Sequence, residues 1–349
     1  PAVLAWQGAR LIRGQFHPPG SPACCGILPA MQIDFLRLRG TPVLVTGGAG
    51  FIGSHLVDRL LALGASVTVL DNFATGRRQN LAHCLDRIEL IEGDIRDLDC
   101  CQRAIDGRAY VFHQAALGSV PRSVKDPATS LAVNVGGTAN VFTAARDANV
   151  SRVVYASSSS VYGTSQRLPK REGEEGEPMS PYALSKRMDE ELAAVFTRCY
   201  GMQLVGLRYF NVFGPRQDPA GPYAAVIPRF FAACRQGERP VIFGDGEQSR
   251  DFTFVGDVVE ANLRAALAPG AEGRAYNIGA GGQKTVNDLA RAIAKLCGFT
   301  GGIEYRPPRA GDVAHSRADA SAAKEKLGFV AQTSLEEGLA LIHASEDGR

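Results

Sequence analysis

Between residues 42 and 64 the chain passes from a short apolar run, PVLVT, through GGAGFIG into SHLVDRLLALG. The uninterrupted apolar run predicts a strand buried on both faces, as in a parallel sheet. After the glycines, Ile52, Leu56 and Leu60 recur at helical spacing, and Gly64 stands where a helix C-terminus favours glycine. The alternation repeats: SVTVLD, IELIEGDI, AYVFHQAA, RVVYASSS and QLVGLRYF read as further strands, with helical stretches between them, notably over 128–148. This is the pattern of an α/β fold with a doubly wound parallel sheet, whose ligands lie outside the carboxyl ends of the strands. It spans residues 41–210; beyond them the alternation breaks up into a smaller mixed α/β lobe over 211–349, with some later segments returning to the first domain. Residues 1–40 lack periodicity and are rich in Pro and Gly. They predict a poorly ordered N-terminal extension, loosely packed to about residue 38, with Met31 as a candidate start. The basic, apolar and cleavage regions of a secretory signal do not follow one another there.

Composition adds mainly exclusions. Apolar residues make up 45% and charged residues 21%, as in a soluble globular protein, and the cysteine usage is that expected in the cytoplasm. A net charge of +2 gives no footing to nucleic acid or a membrane surface as partner. No apolar run reaches the length of a membrane span. The eight cysteines include no CxxC pair, so no metal site is expected and the thiols read as reduced.

Gly47, Gly50 and Gly53 form G-x-x-G-x-x-G between a strand and a helix. Such glycines let the backbone turn, let it approach a pyrophosphate, and let helix pack on strand, with the phosphates at the positive helix N-terminus. A triplet alone is an ordinary turn signal. Here the strand ending in Asp71, 18 residues after Gly53, adds an acid placed to accept from ribose hydroxyls. That carboxylate favours NAD over NADP, whose 2′-phosphate it would repel; Arg77 and Arg78 pull the other way. Downstream, SSSSVYG (157–163) puts hydroxyls at a strand end, and Asp94, Ala115, Ala116, Gly118 and Ser119 fall at other strand ends. In SPYALSK, Ser180 suits an N-cap and Pro181 a first helical turn, which sets Tyr182 and Lys186 on one helical face. Spacing alone would make them a surface pair. Beside a dinucleotide and a hydroxyl cluster, a lysine cation stabilises phenolate, and Ser, Tyr and Lys together make an alcohol–ketone redox site.

Taken together these motifs resemble the extended short-chain dehydrogenase/reductases, a Rossmann family, over residues 42–345. ALGSVPRSV, RYFNVFGPRQDP, SRDFTFVGDVV and PPRAGDVAHSRAD narrow the resemblance to nucleotide-sugar enzymes, and within them to bacterial UDP-N-acetylglucosamine 4-epimerases. The resemblance implies NAD-dependent inversion at the 4-position of a UDP-hexose through a transient 4-keto sugar, with Ser158, Tyr182 and Lys186 catalytic. Besides the glycines and Asp71 it implies NAD contacts by Phe51, Ile52, Asn72, Gly76, Asp94, Ile95, Ala115, Ala116, Asn134, Tyr182, Lys186 and Tyr209. It implies substrate contacts by Gly118, Ser119, Ser159, Asn211, Gln217, Ala225, Val226, Arg250, Arg309, Asp312 and Ser316. At Ser316 glucose/galactose-specific relatives look to carry a bulky Tyr, so a serine leaves room for an N-acetyl group. Ser159 and Ser160 stand where dehydratases and decarboxylases carry acids, so the 4-keto sugar is expected to be reduced back. The resemblance also implies a homodimer, through helices near 128–148 and 181–200.

UDP-glucose and UDP-uronic acids are the alternative substrates, the latter with Arg216 or the serines as donors to the carboxylate. A non-catalytic NAD-binding regulator is the reading that Tyr182 and Lys186 oppose. His113 reads as structural, and KREGEEGE (170–177) as a solvated loop.

Overall fold

The computed structural model describes residues 31, 33–219, 225–308 and 314–347. The chain builds β1 (Pro42–Thr46), α1 (Phe51–Ala62), β2 (Ser66–Asp71), β3 (Ile88–Glu92), α2 (Leu98–Ile105) and β4 (Tyr110–His113). Two short helices, α3 (Val120–Lys125) and α4 (Pro127–Leu131), lead through a π-bulge at 132–136 into α5 (Gly137–Asp147). β5 (Arg152–Ser158), α6 (Pro181–Tyr200) and β6 (Leu204–Tyr209) follow. The remainder comprises β7 (Val212–Phe213), α7 (Val226–Arg235), β8 (Val241–Phe243), β9 (Ser249–Arg250), β10 (Thr253–Phe254) and α8 (Val255–Leu267). It continues with β11 (Arg274–Ile278), β12 (Lys284–Thr285), α9 (Val286–Leu296), β13 (Glu304–Arg306), α10 (Ser321–Leu327) and α11 (Leu335–Asp347). Among the described residues no helix is long and apolar enough to cross a membrane.

Seven strands form one sheet in the order β11-β6-β5-β4-β1-β2-β3, and every pairing in it is parallel. A doubly wound sheet is therefore present, and β11 returns to it from beyond residue 210. The order reverses between β1 and β4, which opens a crevice above their carboxyl ends. The periodicity of α1 decides its face: Leu56, Val57 and Leu60 are fully buried with α8 residues such as Val258 and Leu263. Each such side chain contributes about 2 kcal/mol by leaving water. On the opposite face Phe142, Ala145 and Ala193 close a second core with Val111 and Val153. A third core, built by Phe230, Phe231, Leu289 and Leu339, belongs to the smaller lobe.

Two expectations are corrected. Residues 35–38 form a capped 3-10 turn rather than a loose tail; Leu38 is fully buried, and Met31, Ile33 and Phe35 pack against the same core. Their apolar side chains are too sparse for a periodic signal; Arg264 of α8 lies over the Phe35 ring and Met31 meets Gly328 at the end of α10. The segment 170–177 is not a solvated loop either. Lys170 is buried, Glu175 pairs with the buried Arg208, and Glu172 Oε1 accepts from the Asn277 amide at 2.7 Å.

A one-directional chain of hydrogen bonds runs through the sheet interior. The Thr138 hydroxyl donates to the Asn134 carbonyl (2.5 Å), so His113 Nε2 must donate to Thr138 Oγ1 (3.0 Å). His113 Nδ1 then accepts from Thr46 Oγ1 (2.7 Å), which itself accepts from the Ala115 amide (3.3 Å). Burial, seconded by the nearby Lys186 charge, lowers the His113 pKa to about 3, so the imidazole is neutral and structural. Its folded pKa is depressed below the ordinary 6.5, so the stability it confers is whole above that value and lost as pH falls toward 3. Replacing His113 by Gln should cost about 1–3 kcal/mol at pH 7.5 through unpaired hydroxyls. Between pH 7.5 and 4.5 the variant should then lose about 2–3 kcal/mol less than the unmodified protein. Urea unfolding at the two pH values measures both quantities; parallel losses would show that His113 is not the titrating group.

Candidate active site

The glycine loop joins β1 to α1. Gly47 has a left-handed φ of +70°, and a Cβ there would stand 2.7 Å from Ala115 Cα. A Cβ on Gly53 would stand 2.1 Å from the Gly47 carbonyl oxygen. The loop is therefore shaped for backbone alone, with the first turn of α1 facing the crevice. A cavity of about 570 Å³ opens above it. Its wall includes Gly47, Gly50, Phe51, Ile52, Gly53, Asp71, Asn72, Asp94, Ile95, Ala115, Ala116 and Tyr209. The expected dinucleotide contacts thus meet in one place. Gly76 and Asn134 stand behind the wall. Gly76 lies against Ala49 and Asp71. Asn134, in the π-bulge, is fully buried; its Oδ1 accepts from the Leu117 amide (2.8 Å) and its Nδ2 donates to Ser185 Oγ (3.0 Å). A π-bulge commonly marks such a functional distortion.

Charge in this cavity is set by neighbours. Asp71 accepts from the Ala49 and Phe73 amides at 2.9 and 2.8 Å, while burial raises its pKa above the ordinary value. Each of its oxygens keeps a lone pair for a further donor. Asp94 is bound by Arg96 and Asn72, and the Arg96 bond above all lowers its pKa to about 2. Arg77 pairs with Asp218 and Arg78 with Glu92, and neither lines the cavity, which removes the opposition they offered to NAD over NADP. The shape that excludes Cβ atoms, the helix N-terminus and Asp71 fit NAD.

At the other end of the cavity the serine run meets α6. Ser157, Ser158, Ser159, Tyr182 and Lys186 line the wall together. β5 ends at Ser158, one residue short of the end of the RVVYASSS run. Ser157 Oγ donates to Glu190 (2.5 Å). Ser158 Oγ accepts from the Ser160 amide (3.1 Å), and among the described residues no acceptor takes its own proton, so it can donate into the cavity. Ser180 caps α6 by accepting from the Ala183 amide (3.1 Å). The Tyr182 amide donates to Ser123 Oγ (3.0 Å), and its carbonyl accepts from Ser185 Oγ (2.8 Å), which is held in turn by Asn134. Lys186 is buried, and its Nζ donates to the Ala156 carbonyl (2.9 Å) and Asp189 Oδ2 (3.1 Å). Two of its three N–H bonds are thereby used and one is left for the cavity. Sequence reasoning missed Ser123, Ser185, Asp189 and Glu190. Asp189 and Glu190 had a sequence signal, being three and four residues after Lys186 on the same helical face.

Gly118, Asn211 and Gln217 also line this cavity. Asn211 lies on the wall of a second one of about 420 Å³, with Val226, Arg229, Arg239, Arg250, Phe230 and Phe252. Three guanidinium groups and aromatic rings suit an anionic ligand with a planar ring. Ser119 caps α3 instead, accepting from the Arg122 amide (3.2 Å), and Ala225 stands exposed before α7. The half-buried Ser316 is pinned by its amide to the Ser249 carbonyl (3.1 Å) and lines neither cavity. Arg309 and Asp312 lie outside the described residues. Arg216 lines neither cavity and pairs with Asp58 (2.6 Å), which takes away the cationic donor suggested for a uronate. Asp58, His83 and Cys84 bring ligand atoms within 4.8 Å of one another. Asp58 is already engaged by His83 and Arg216, and burial pushes the Cys84 thiol up, so the trio reads as an ion-paired cluster.

Comparison with known proteins accords with this geometry. A UDP-glucose 4-epimerase of Mycolicibacterium smegmatis is 43% identical over 301 residues, 85% of this chain and 96% of that one. A putative UDP-glucose 4-epimerase of Methanocaldococcus jannaschii is 41% identical over 299 residues, 85% and 95% respectively. Among solved structures, a UDP-N-acetylglucosamine 4-epimerase from Methanobrevibacter ruminantium, in complex with UDP-N-acetylmuramic acid, superposes with a TM-score of 0.85 at 39% identity. That superposition covers 89% of this chain and 99% of the other. Residues 43–279 match the family model of the NAD dependent epimerase/dehydratase family. With its glycine cradle, its acid at the end of β2 and the match over most of its length, the chain belongs to the NAD dependent epimerase/dehydratase family and is an NAD-dependent enzyme.

Proposed function

We propose that this enzyme is a UDP-sugar 4-epimerase whose preferred pair is UDP-N-acetylglucosamine and UDP-N-acetylgalactosamine. The observation that carries the reading is the meeting of Ser158, Tyr182 and Lys186 on one wall of the cavity that also holds the glycine cradle and Asp71. When bound, NAD supplies the site with a hydride acceptor that becomes the donor for the return step. Tyr182 takes the proton of the sugar 4-hydroxyl, and Ser158 Oγ donates to the same oxygen as its charge develops. The Lys186 ammonium stabilises the phenolate from beneath. The 4-keto sugar turns over within the cavity, and Tyr182 gives back its proton to the inverted alcohol. Ser159 offers no acid at the wall, so elimination of water has no partner there. The diphosphate is assigned to Arg250 and Asn211 and the uracil to the aromatic side of the second cavity, with Arg309 and Asp312 as further contacts. Incubated with UDP-sugars and no added NAD, the purified protein should form the 4-epimer, resolved by nucleotide-sugar chromatography. Tyr182→Phe should lower turnover at least about 1000-fold while the cofactor content released on denaturation stays unchanged. Near-normal turnover in that variant would remove Tyr182 from the chemistry.

Sugar preference is proposed from size. Gly118 lines the first cavity and a Cβ there would meet nothing within 4 Å, which leaves room for an N-acetyl group; Ser316 lines neither cavity and is assigned a part through the resemblance alone. UDP-glucose is the second reading, favoured by the names of the two sequence relatives. A Ser316→Tyr variant should lose UDP-N-acetylgalactosamine turnover by about 10–100-fold and keep UDP-glucose activity; equal effects on both would leave UDP-glucose as the better assignment.

A second copy is the proposed partner. Leu184, Met188 and Val195 form an exposed stripe on α6, continued by Val120 and Val124 on α3. None of the exposed large apolar side chains falls on 128–148, so the interface is assigned to α3 and α6 rather than to that stretch. Paired Leu184→Glu and Met188→Glu changes should convert a dimer into a monomer in light scattering, and a monomer before mutation would sink the assignment.

A further inference from the structure

Behind the reacting wall lies a carboxylate that the chemistry above does not use. Asp189, one turn after Lys186 on α6, is almost fully buried, and its Oδ2 accepts from Lys186 Nζ at 3.1 Å. Its Oδ1 is buried with no hydrogen-bond partner among the described residues. The groups facing it from the packed elements are Thr138 of α5, Tyr155 of β5 and, on its own helix, Lys186 and Glu190. His113 of β4 lies close to Lys186 and is neutral. The Thr138 hydroxyl lies near enough to favour the charged carboxylate, although its proton points to the Asn134 carbonyl. A buried carboxylate with one oxygen unsatisfied is disfavoured for a fold, since a carboxamide or a small apolar group would sit there with less desolvation. What it does is bind the ammonium of Lys186, which lines the cavity beside Tyr182.

We propose that Asp189 is a positioning residue for Tyr182: it anchors the Lys186 ammonium against the Ala156 carbonyl and offsets part of its charge, and so sets the field in which the phenol works. The proposal rests on the roles given above to Tyr182 and Lys186. The geometry leaves little else to hold the ammonium. Two fixed acceptors, one at the end of β5 and one on α6, keep Nζ at the seam of strand and helix with its third N–H toward the cavity. The charge argument is separate. A lysine cation favours phenolate, and a carboxylate on the same cation opposes it. Burial raises the Asp189 pKa to about 6 against the pull of Lys186, so the opposing charge is present above that pH. Its folded pKa is raised, so ionising it takes stability away as pH climbs through 6, and a neutral isostere should not weaken the fold.

The test is Asp189→Asn, which keeps the shape and removes the charge. Tyrosinate absorbance is titrated in the ultraviolet, with the same titration of Asp189→Asn/Tyr182→Phe subtracted, and compared with the corresponding difference for the unmodified protein and Tyr182→Phe. The Tyr182 titration should move to lower pH by at least about half a unit. The acid limb of kcat should follow it, the plateau should fall several-fold because a neutral amide oxygen holds the ammonium less firmly than the carboxylate, and KM should hold within about twofold. Asp189→Glu should bring the titration back toward the unmodified value. Thermal melting of each variant confirms folding, and Asp189→Ser serves in place of Asn if that variant melts early. A Tyr182 titration that is unchanged, or moves upward, overturns the proposal. The titration needs no sugar, so a shift without turnover of any UDP-sugar would leave Asp189 as inferred and overturn the substrate assignment instead.

Discussion

Arg208, buried in β6, holds Glu190 of α6 through two hydrogen bonds of 2.9 and 2.7 Å and Glu175 of the 170–177 loop through a third contact. The same Glu190 accepts from Ser157 at the end of β5, and Arg208 also donates to the Tyr162 hydroxyl (3.0 Å). This one guanidinium therefore ties two strands, a helix and a loop at the point where the serine run meets α6. A buried ion pair is weak evidence for net stability, and breaking one by removing a partner costs about 3–5 kcal/mol. Its value here is geometric. The register of α6 against β5 decides whether Tyr182 and Lys186 face Ser158 at all, and nothing exposed to water could fix that register as tightly.

Around that clamp the polar interior is nearly saturated. Asn277 engages both N–H bonds and the oxygen of its side chain: it accepts from Tyr162 (2.7 Å) and donates to the Lys170 and Asp319 carbonyls (2.9 and 3.0 Å). Asp251, fully buried, accepts from the Ala280, Gly281 and Ala318 amides, each at 3.0 Å. Such networks rigidify what they join, because any rotation strands a polar group without water. Among the described residues the exceptions are Ser160 Oγ, Asp189 Oδ1, Thr197 Oγ1, Arg216 Nη1, Gln217 Oε1 and Thr253 Oγ1, and the first two sit next to the reacting wall.

Much of the first domain was legible along the chain. Parallel strands are covered on both faces, so they show as apolar runs, and a helix laid on a sheet shows its period. The glycine loop was legible because its residues are constrained by atoms a few positions away, and Gly53 against Gly47 is such a local contact. Tyr182 and Lys186 were legible because one helical turn joins them. The packing of 33–40 was not, since its partners lie on α8 and α10. Nor was the burial of 170–177: KREGEEGE is as polar as any solvated loop, and only Arg208 and Asn277, brought from β6 and β11, give its charges a reason to be inside.

The amino-acid order alone determined the sheet class, the dinucleotide cradle, the acid that faces it and the identity of the serine, tyrosine and lysine, because each is written in residues close in sequence or periodic along it. The tertiary structure decided which serine spends its proton on Glu190, which carboxylate holds the lysine, and which arginines are tied up in ion pairs away from the cavities. Those are properties of groups far apart in the chain. A carboxylate's charge, a hydroxyl's free proton and a guanidinium's availability depend on what lies within about 3 Å, and only the folded chain sets those neighbours.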